Sequence, residues 1–203
     1  MGKIMGKEKY IKTAEELFKK SPVVHASSIE RIIKHKGYTK QFIRNLIKRG
    51  KIKRLVKGWY TTRNDPSLAV FCFKPAYLGL QDALSFHNLW EQETIPVIIT
   101  TAKVRQGIKN VLDSNLLIRH IDKKYFFGFD YCEYSSGLYL PYSDIEKTFI
   151  DMVHFKQKLD KSTIEEIQKK ADRKKLKAYL KKYPEKTRKR VLALLGLECK
   201  NSS

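Results

Sequence analysis

The chain has 203 residues, of which 42% are hydrophobic, so it can build the core of one or two domains. Its net charge of +21 favours polyanions or acidic molecules as partners. The charge is uneven, because residues 1–62 carry +13, residues 63–157 carry −1 and residues 158–203 carry +9. A near-neutral middle thus separates two basic ends, and we expect the N-terminal charge to form a nucleic-acid-binding surface.

The cysteines and the apolar segments indicate the cellular setting. Cys72, Cys132 and Cys199 are far apart and form no CxxC pair, which argues against a disulfide framework. The first ten residues contain no apolar run, and no segment approaches the length needed to span a membrane. We therefore expect a reduced, cytoplasmic protein without membrane association.

The N-terminal residues predict two helices. The first covers Glu8–Lys20, where apolar residues recur at helical spacing. The second is predicted to begin at Ser27, because Ser27 and Glu30 have the spacing of a capping box. Gly37 is expected to end it. A short strand is predicted between the two helices, at Val23-Val24.

A third helix follows almost at once. Thr39 is its predicted N-cap and Gly50 stands where a C-terminal glycine is common. The side chains expected on its buried face are Phe42, Ile43, Leu46 and Ile47. The short connection to the second helix favours a helix-turn-helix.

A hairpin is predicted directly after the third helix. Its strands are Ile52–Val56 and Trp59–Thr62, and Lys57-Gly58 forms the two-residue loop, in which Gly58 can adopt a positive φ. A cationic helix followed by a basic hairpin is typical of a winged helix-turn-helix, whose helix enters the major groove of DNA.

The candidate DNA-binding residues lie on this helix and hairpin. Cations there can reach phosphates, while Arg, Gln and Asn can make bidentate contacts to base edges. The candidates are Lys40, Gln41, Arg44, Asn45, Lys48, Lys53, Arg54 and Lys57. The alternative is an ordinary solvated helix face, but the basic hairpin that follows favours the DNA-binding interpretation.

A polar segment after the hairpin predicts a domain boundary, with a winged helix-turn-helix domain at 1–63 and an α+β domain at 67–203. In the second domain the predicted strands are Ala69–Phe73, Ile95–Thr101, Leu116–Ile121, Phe126–Tyr131 and Gly137–Leu140. The predicted helices are Gly79–Asn88 and Ser143–Phe155, followed by a helical C-terminus. Capping boxes are predicted at Ser143/Glu146 and Ser162/Glu165.

The C-terminal helices carry many outward-facing lysines and arginines. This basic face is consistent with a second polyanion surface, with a dock for an acidic protein, or with simple solvation. The sequence leaves these readings open.

No sequence motif predicts catalysis. The chain lacks GxxxxGK[ST], GxGxxG, HExxH and GxSxG, and its histidines are scattered singly. His87 is expected to be a core histidine. His87, His120 and His154 could converge with Asp82 or Asp151 as a metal site, although the spacing does not favour it. We expect no enzyme activity, no cofactor and no metal.

Several segments, in order, resemble the type IV abortive-infection antitoxin family (AbiEi-like transcriptional regulators). The N-terminal resemblance lies in Arg49–Ile52 and Arg54–Tyr60. A helix motif follows at Tyr77–Leu89, then the strand at Val97–Thr101 and a later helix start at Pro141–Asp151. The resemblance covers most of residues 8–195.

This resemblance implies an antitoxin and autorepressor that binds inverted repeats in its own promoter through the winged helix. It also implies a nucleotidyltransferase-like toxin as the functional partner, counteracted by the C-terminal domain. The alternatives are an RNA-binding module that uses the same basic surfaces and an enzyme with a site near His87.

Overall fold

The computed structural model describes residues 2–135 and 137–196, with side chains from Tyr10 onward. Within these residues the fold is mixed α+β with two sheets. Contacts divide the described residues into two compact units, residues 2–72 with 110–114 and residues 73–109 with 115–135 and 137–196.

The first unit interleaves helices with short strands. Its helices are α1 (Gly2–Lys20), α2 (Ala26–Ile33) and α3 (Lys36–Lys48), and its strands are β1 (Val24–His25), β2 (Lys53–Val56) and β3 (Trp59–Thr61). The strands form one antiparallel sheet in the order β1-β3-β2. The short strand before α2 and the hairpin after α3 confirm the sequence-based predictions of those elements.

The core of this unit is built from one apolar face of each helix. Its buried side chains are Ala14, Phe18, Val24, Ile29, Ile33, Phe42, Ile43, Leu46 and Ile52. Full burial of a large aliphatic or aromatic side chain stabilises by about 1.5–3 kcal/mol. Burial of these side chains therefore stabilises the packing of the three helices.

The predicted start of α3 was wrong. Thr39 is not the N-cap but lies inside the helix, where its hydroxyl donates to the carbonyl of His35 at 2.8 Å. The N-cap is His35, whose ring Nδ1 accepts from the Tyr38 amide at 3.1 Å. Gly37, predicted to end the preceding helix, occupies the first turn of α3.

The predicted start of α2 was also wrong. The N-cap is His25, whose side chain accepts from the Ser27 amide, so no Ser27/Glu30 capping box forms. The helix ends at Ile33, and Lys34 takes a left-handed conformation with φ 58° while its amide donates to Glu30. Only two residues, Lys34 and His35, connect α2 to α3.

The second unit contains most of a six-stranded mixed sheet in the order β6-β7-β5-β4-β9-β8, of which only residues 110–111 and 114 group with the first unit. Its strands are β4 (Ala76–Leu78), β5 (Val97–Thr100), β6 (Gly107–Val111), β7 (Ser114–His120), β8 (Phe129–Ser135) and β9 (Leu138–Ser143). Strand β5 runs antiparallel to β4 and parallel to β7, and β4 runs parallel to β9. The helices are α4 (Leu80–Phe86), α5 (Ile145–His154), α6 (Lys161–Lys170), α7 (Arg173–Leu180) and α8 (Glu185–Leu194).

Some predicted elements of the second part differ from the structure. The strand predicted at Ala69–Phe73 is instead a 3-10 segment over Pro66–Cys72, since a short buried apolar run does not reveal its own backbone geometry. The strands Ala76–Leu78 and Gly107–Val111 were not predicted.

Three helices of the second unit, α5, α6 and α7, are capped by aspartates, and in α5 and α6 the aspartate replaces the predicted serine. Asp144 accepts from the Lys147 amide at 2.7 Å and caps α5, whereas Ser143 ends β9 and bonds Thr148. The N-cap of α6 is Asp160, not Ser162, and the N-cap of α7 is Asp172. In α5 and α6 the carboxylate immediately before the helix caps it in place of the nearby serine hydroxyl, because a carboxylate accepts charge-assisted hydrogen bonds.

An enclosed polar cluster lies in the core of the second unit. The Lys147 ammonium and the Asp151 carboxylate pair one turn apart on α5, and both side chains are fully buried. Tyr77 OH accepts from Lys147 at 2.9 Å and donates to Asp151 at 2.7 Å. Tyr183 OH lies 3.4 Å from the same carboxylate. Burial lowers the pKa of Lys147 and raises that of Asp151, and their mutual attraction opposes both shifts.

Candidate nucleic-acid interface

Helix α3 exposes a row of cations on the side away from the core. Lys40, Arg44 and Lys48 are exposed and recur every four residues, as the sequence predicted. Because the helix begins at Lys36, this exposed residue extends the row by one turn toward the N-terminus. Sequence reasoning missed Lys36 because it placed the helix start too late.

Gln41 and Asn45 form the neighbouring row. The Gln41 side-chain amide donates to Asn45 Oδ1 at 3.2 Å, so the two side chains order each other. The Asn45 amide group keeps its own donors, and each side chain retains acceptor capacity. This pair can therefore present donors and acceptors together.

A groove of about 380 Å³ brings the helix and the hairpin together. Lys40 and Arg44 of α3 border it with Arg54 of β2, and Tyr60 of β3 also lines it. Lys36 adds a further cation and Glu30 of α2 an acid. Three of the candidate residues thus meet at one groove whose rim is mainly cationic.

The remaining hairpin candidates are arranged differently. Lys53 is exposed but donates to Asn64 at 2.8 Å, and Lys57 is exposed in the loop between β2 and β3. The loop itself is held against α2, because the Ala26 amide donates to the carbonyl of Gly58 at 2.8 Å. Gly58 has φ 83°, which fits the conformation that the sequence predicted for it.

Ile47 differs most from its predicted position. It was expected on the buried face of α3 but is 38% exposed and lines the groove near Arg44. Its neighbours Ile43 and Leu46 are buried. A helical wheel places position 47 at the edge of the apolar stripe, so helical spacing alone could not decide its exposure.

The helix-capping residues of the two units differ in charge. Histidine rings cap α2 and α3 in the first unit, whereas aspartates cap α5, α6 and α7 in the second. A ring nitrogen that accepts a hydrogen bond from an amide brings no negative charge. The positive ends of the α2 and α3 dipoles are therefore not offset by a carboxylate at the cap.

A second groove of the first unit was not anticipated. It measures about 440 Å³ and is bordered by Lys20, Arg31 and Trp59, with His25 beside the tryptophan at a ring distance of 4.8 Å. Only the general basicity of residues 1–62 pointed to it.

The C-terminal helices expose a further basic face in the second unit. Lys175 pairs with Asp144 and Glu146, Lys169 with Glu166, and Lys189 with Glu185. Within the part of the chain that the structure describes, the exposed cations of this region that form no ion pair include Arg173, Lys174, Lys177, Lys181, Lys186, Arg188 and Arg190.

The histidines and acids of the second unit have separate partners. His87 is half-buried, with Nε2 at 2.7 Å from the Ser143 carbonyl, and His154 packs against Tyr125. Asp82 accepts from the Val97 amide, while Asp151 belongs to the Lys147 cluster. Among residues 2–135 and 137–196, no three His, Cys, Asp or Glu side chains are grouped as a metal site.

No protein-family model matches the chain, and no curated protein matches it significantly. None of the helices in the described residues is long and apolar enough to cross a membrane.

Proposed function

We propose that the N-terminal unit is a winged helix-turn-helix that binds duplex DNA and that the protein is a transcriptional regulator. The observation that carries this proposal is the groove at which Lys40 and Arg44 of α3 meet Arg54 of the hairpin. The element order α1-β1-α2-α3-β2-β3 and the three-stranded antiparallel sheet support it.

Different residues of the surface would contact the bases and the phosphates of DNA. Helix α3 would enter the major groove, where Arg44 and the ordered Gln41–Asn45 pair can contact base edges. The lysines Lys40, Lys48, Lys53 and Lys57, together with Arg54, would bind phosphates and fix the register. Phosphate contacts give affinity for any sequence, and base contacts give preference for one.

The salt dependence of DNA binding tests this proposal. The five residues proposed to bind phosphates correspond to a log–log slope of about −4.5 for binding to a random duplex library. The variant Lys40→Ala/Arg44→Ala/Arg54→Ala/Lys57→Ala should bind much more weakly, with a slope of about −2, because three of these phosphate contacts are lost.

A matched control removes the same charge from the second unit. In Arg173→Ala/Lys177→Ala/Lys181→Ala/Lys186→Ala, four exposed and unpaired cations are lost. This control should keep most of the affinity and the slope. An affinity that is insensitive to salt, or equal losses in the two variants, would overturn the assignment to α3 and the hairpin.

We further propose that the regulator is the antitoxin and autorepressor of a type IV toxin–antitoxin system. The support is the ordered resemblance of its segments to that family, together with the basic N-terminal surface. The functional partner would be a nucleotidyltransferase-like toxin encoded beside it, and the DNA site an inverted repeat in the shared promoter.

Two assays test the antitoxin role. Co-expression with the neighbouring gene should restore growth that this gene alone arrests, and a reporter under the native promoter should be repressed. The four-residue α3–hairpin variant should lose repression. Absence of growth rescue would remove the antitoxin role and leave the DNA-binding proposal standing.

The second candidate function is RNA binding, and the unpaired cations of α7 and α8 favour it. Competition between a duplex DNA library and a structured RNA at equal salt separates the two. A preference for RNA that is kept in the four-residue α3–hairpin variant but lost in the matched control, which lacks four cations of the second unit, would establish RNA as the ligand of the second unit.

A further inference from the structure

An aliphatic side chain is exposed in the middle of the cationic surface of α3. Ile47 is 38% exposed, whereas Phe42, Ile43 and Leu46 on the same helix are buried at 3–6% exposure. Single exposed apolar residues are common on proteins, so exposure alone indicates no site. The surroundings of Ile47 make it informative.

Ile47 lies on the groove rather than at the margin of the unit. Arg44 stands one turn before it on α3, and Arg54 borders the same groove from β2. A polymer held by these two arginines would lie over the Ile47 side chain. Ile47 thus lies where a bound nucleic acid would cover it.

The chemistry of the ligand decides what an isoleucine can contribute here. A phosphodiester offers it no favourable contact. The edges of base pairs in the major groove offer one apolar group, the C5 methyl of thymine, which aliphatic side chains contact in direct readout. Uracil lacks this methyl, and the deep, narrow major groove of RNA excludes side chains.

We propose that Ile47 is a specificity-determining residue that contacts the C5 methyl of a thymine in the major groove, next to the group bound by Arg44. This inference rests on the proposed binding of duplex DNA by α3. It assigns one base contact within that surface and identifies the feature of DNA that the surface reads.

The test replaces the methyl group and the side chain independently. Binding sequences are first selected by the wild-type protein from a random duplex library. Each thymine of a selected duplex is then replaced singly by deoxyuridine, which removes only the methyl group, and affinities are measured at constant salt. At one position the wild-type protein should lose about fourfold in affinity, the gain expected from burying one methyl group.

The Ile47→Ala variant should bind the thymine and deoxyuridine duplexes equally, whereas Ile47→Val should retain part of the preference. Ile95→Ala is the matched control, because Ile95 is 37% exposed but belongs to the second unit. It should show the full preference for thymine. Thermal unfolding of each variant shows whether the fold has been kept.

The outcomes separate this inference from the function on which it rests. If deoxyuridine costs nothing at every position, or costs Ile47→Ala as much as the wild type, the assignment of Ile47 is overturned while salt-dependent DNA binding stands. If no duplex is bound at all, the DNA-binding function falls and this inference falls with it.

Discussion

Lys147 and Asp151, one turn apart on α5, form an ion pair that is fully removed from solvent. Two tyrosine hydroxyls, those of Tyr77 and Tyr183, complete the shell of the carboxylate. The ammonium also lies within 6 Å of the ring centres of Tyr77, Phe127 and Tyr183. The cluster joins α5 to β4 and to the segment before α8, so it fixes which elements meet in the core.

Removing one partner of this pair should destabilise the protein strongly. Lys147→Met leaves a buried carboxylate without its cation, and loss of one member of a buried pair costs about 3–5 kcal/mol. The double variant Lys147→Met/Asp151→Leu should recover part of the loss, because it buries no charge. Urea unfolding measures both. The exposed pair partner Lys169 gives the control, since Lys169→Met should leave the midpoint unchanged.

Gly128 should tolerate no side chain. Its φ is 71°, and a Cβ atom there would lie 2.9 Å from Lys147 Cβ and 3.0 Å from Tyr179 Cε2. Gly128→Ala should therefore lose about 1 kcal/mol through the left-handed backbone and about 1–3 kcal/mol more through overpacking. Gly137 has φ 70° with open space around it, so Gly137→Ala should show only the backbone cost. Equal losses in the two urea titrations would contradict the packing argument.

The histidine cap of α3 should influence stability and DNA binding separately. His35→Ala removes the acceptor for the Tyr38 amide and should cost about 0.5–2 kcal/mol. His35→Asp and His35→Asn should both restore the cap. The aspartate, however, places a negative charge at the positive end of the helix that is proposed to face DNA.

His35→Asp should accordingly weaken binding to the duplex library, and high salt should reduce the difference, whereas His35→Asn should bind like the wild type. Thermal unfolding measures the effect on stability, and titration of DNA binding at increasing salt measures the effect of the charge. If both variants bind equally at low salt, the charge of the cap is irrelevant to the interface.

The aspartate caps of the second unit should contribute to its acid denaturation. Hydrogen bonds from the backbone amides of Thr163 and Lys175 lower the pKa values of Asp160 and Asp172. Since these pKa values are lower in the folded protein, the stabilisation is present above the unfolded pKa of about 3.9 and is lost as pH falls through the folded pKa.

Asp160→Asn/Asp172→Asn keeps good capping residues but removes both titrations. Urea midpoints should show the wild-type advantage constant from pH 7 to about pH 5 and shrinking below about pH 4. An unchanged difference at low pH would show that the carboxylates do not stabilise the helices as anions.

The sequence predicted the elements of the first unit better than their boundaries. Apolar spacing located α1, α2 and α3, and Gly58 located the hairpin turn, because both signals are local. The caps failed because a histidine ring replaced the expected serine and threonine, as shown by His25 and His35. The exposure of Ile47 depends on how the hairpin packs, which helical spacing does not encode.

In the second unit, a buried ion pair and a short central strand could not be predicted from the sequence. Lys147 had no predicted role, yet its side chain is fully buried: Asp151 follows it on the same helix, whereas Tyr77 comes from β4 and reaches the ammonium only in the folded protein. The strand Ala76–Leu78 is short and carries no alternation of polar and apolar residues, so its pairing with β5 and β9 required the sheet itself.

In α3, the residues that pack in the core are different from the residues that are exposed to solvent. Phe42, Ile43 and Leu46 hold the helix in the core, while Arg44, Ile47 and Lys48 take little part in that packing. In the proposed complex with DNA, mutations at the second set would alter which sequence is bound at little cost to folding. Under the proposed function, a lineage that carries this unit could therefore follow a promoter whose sequence changes by neutral steps, and the unit could be retargeted by randomising these exposed positions alone.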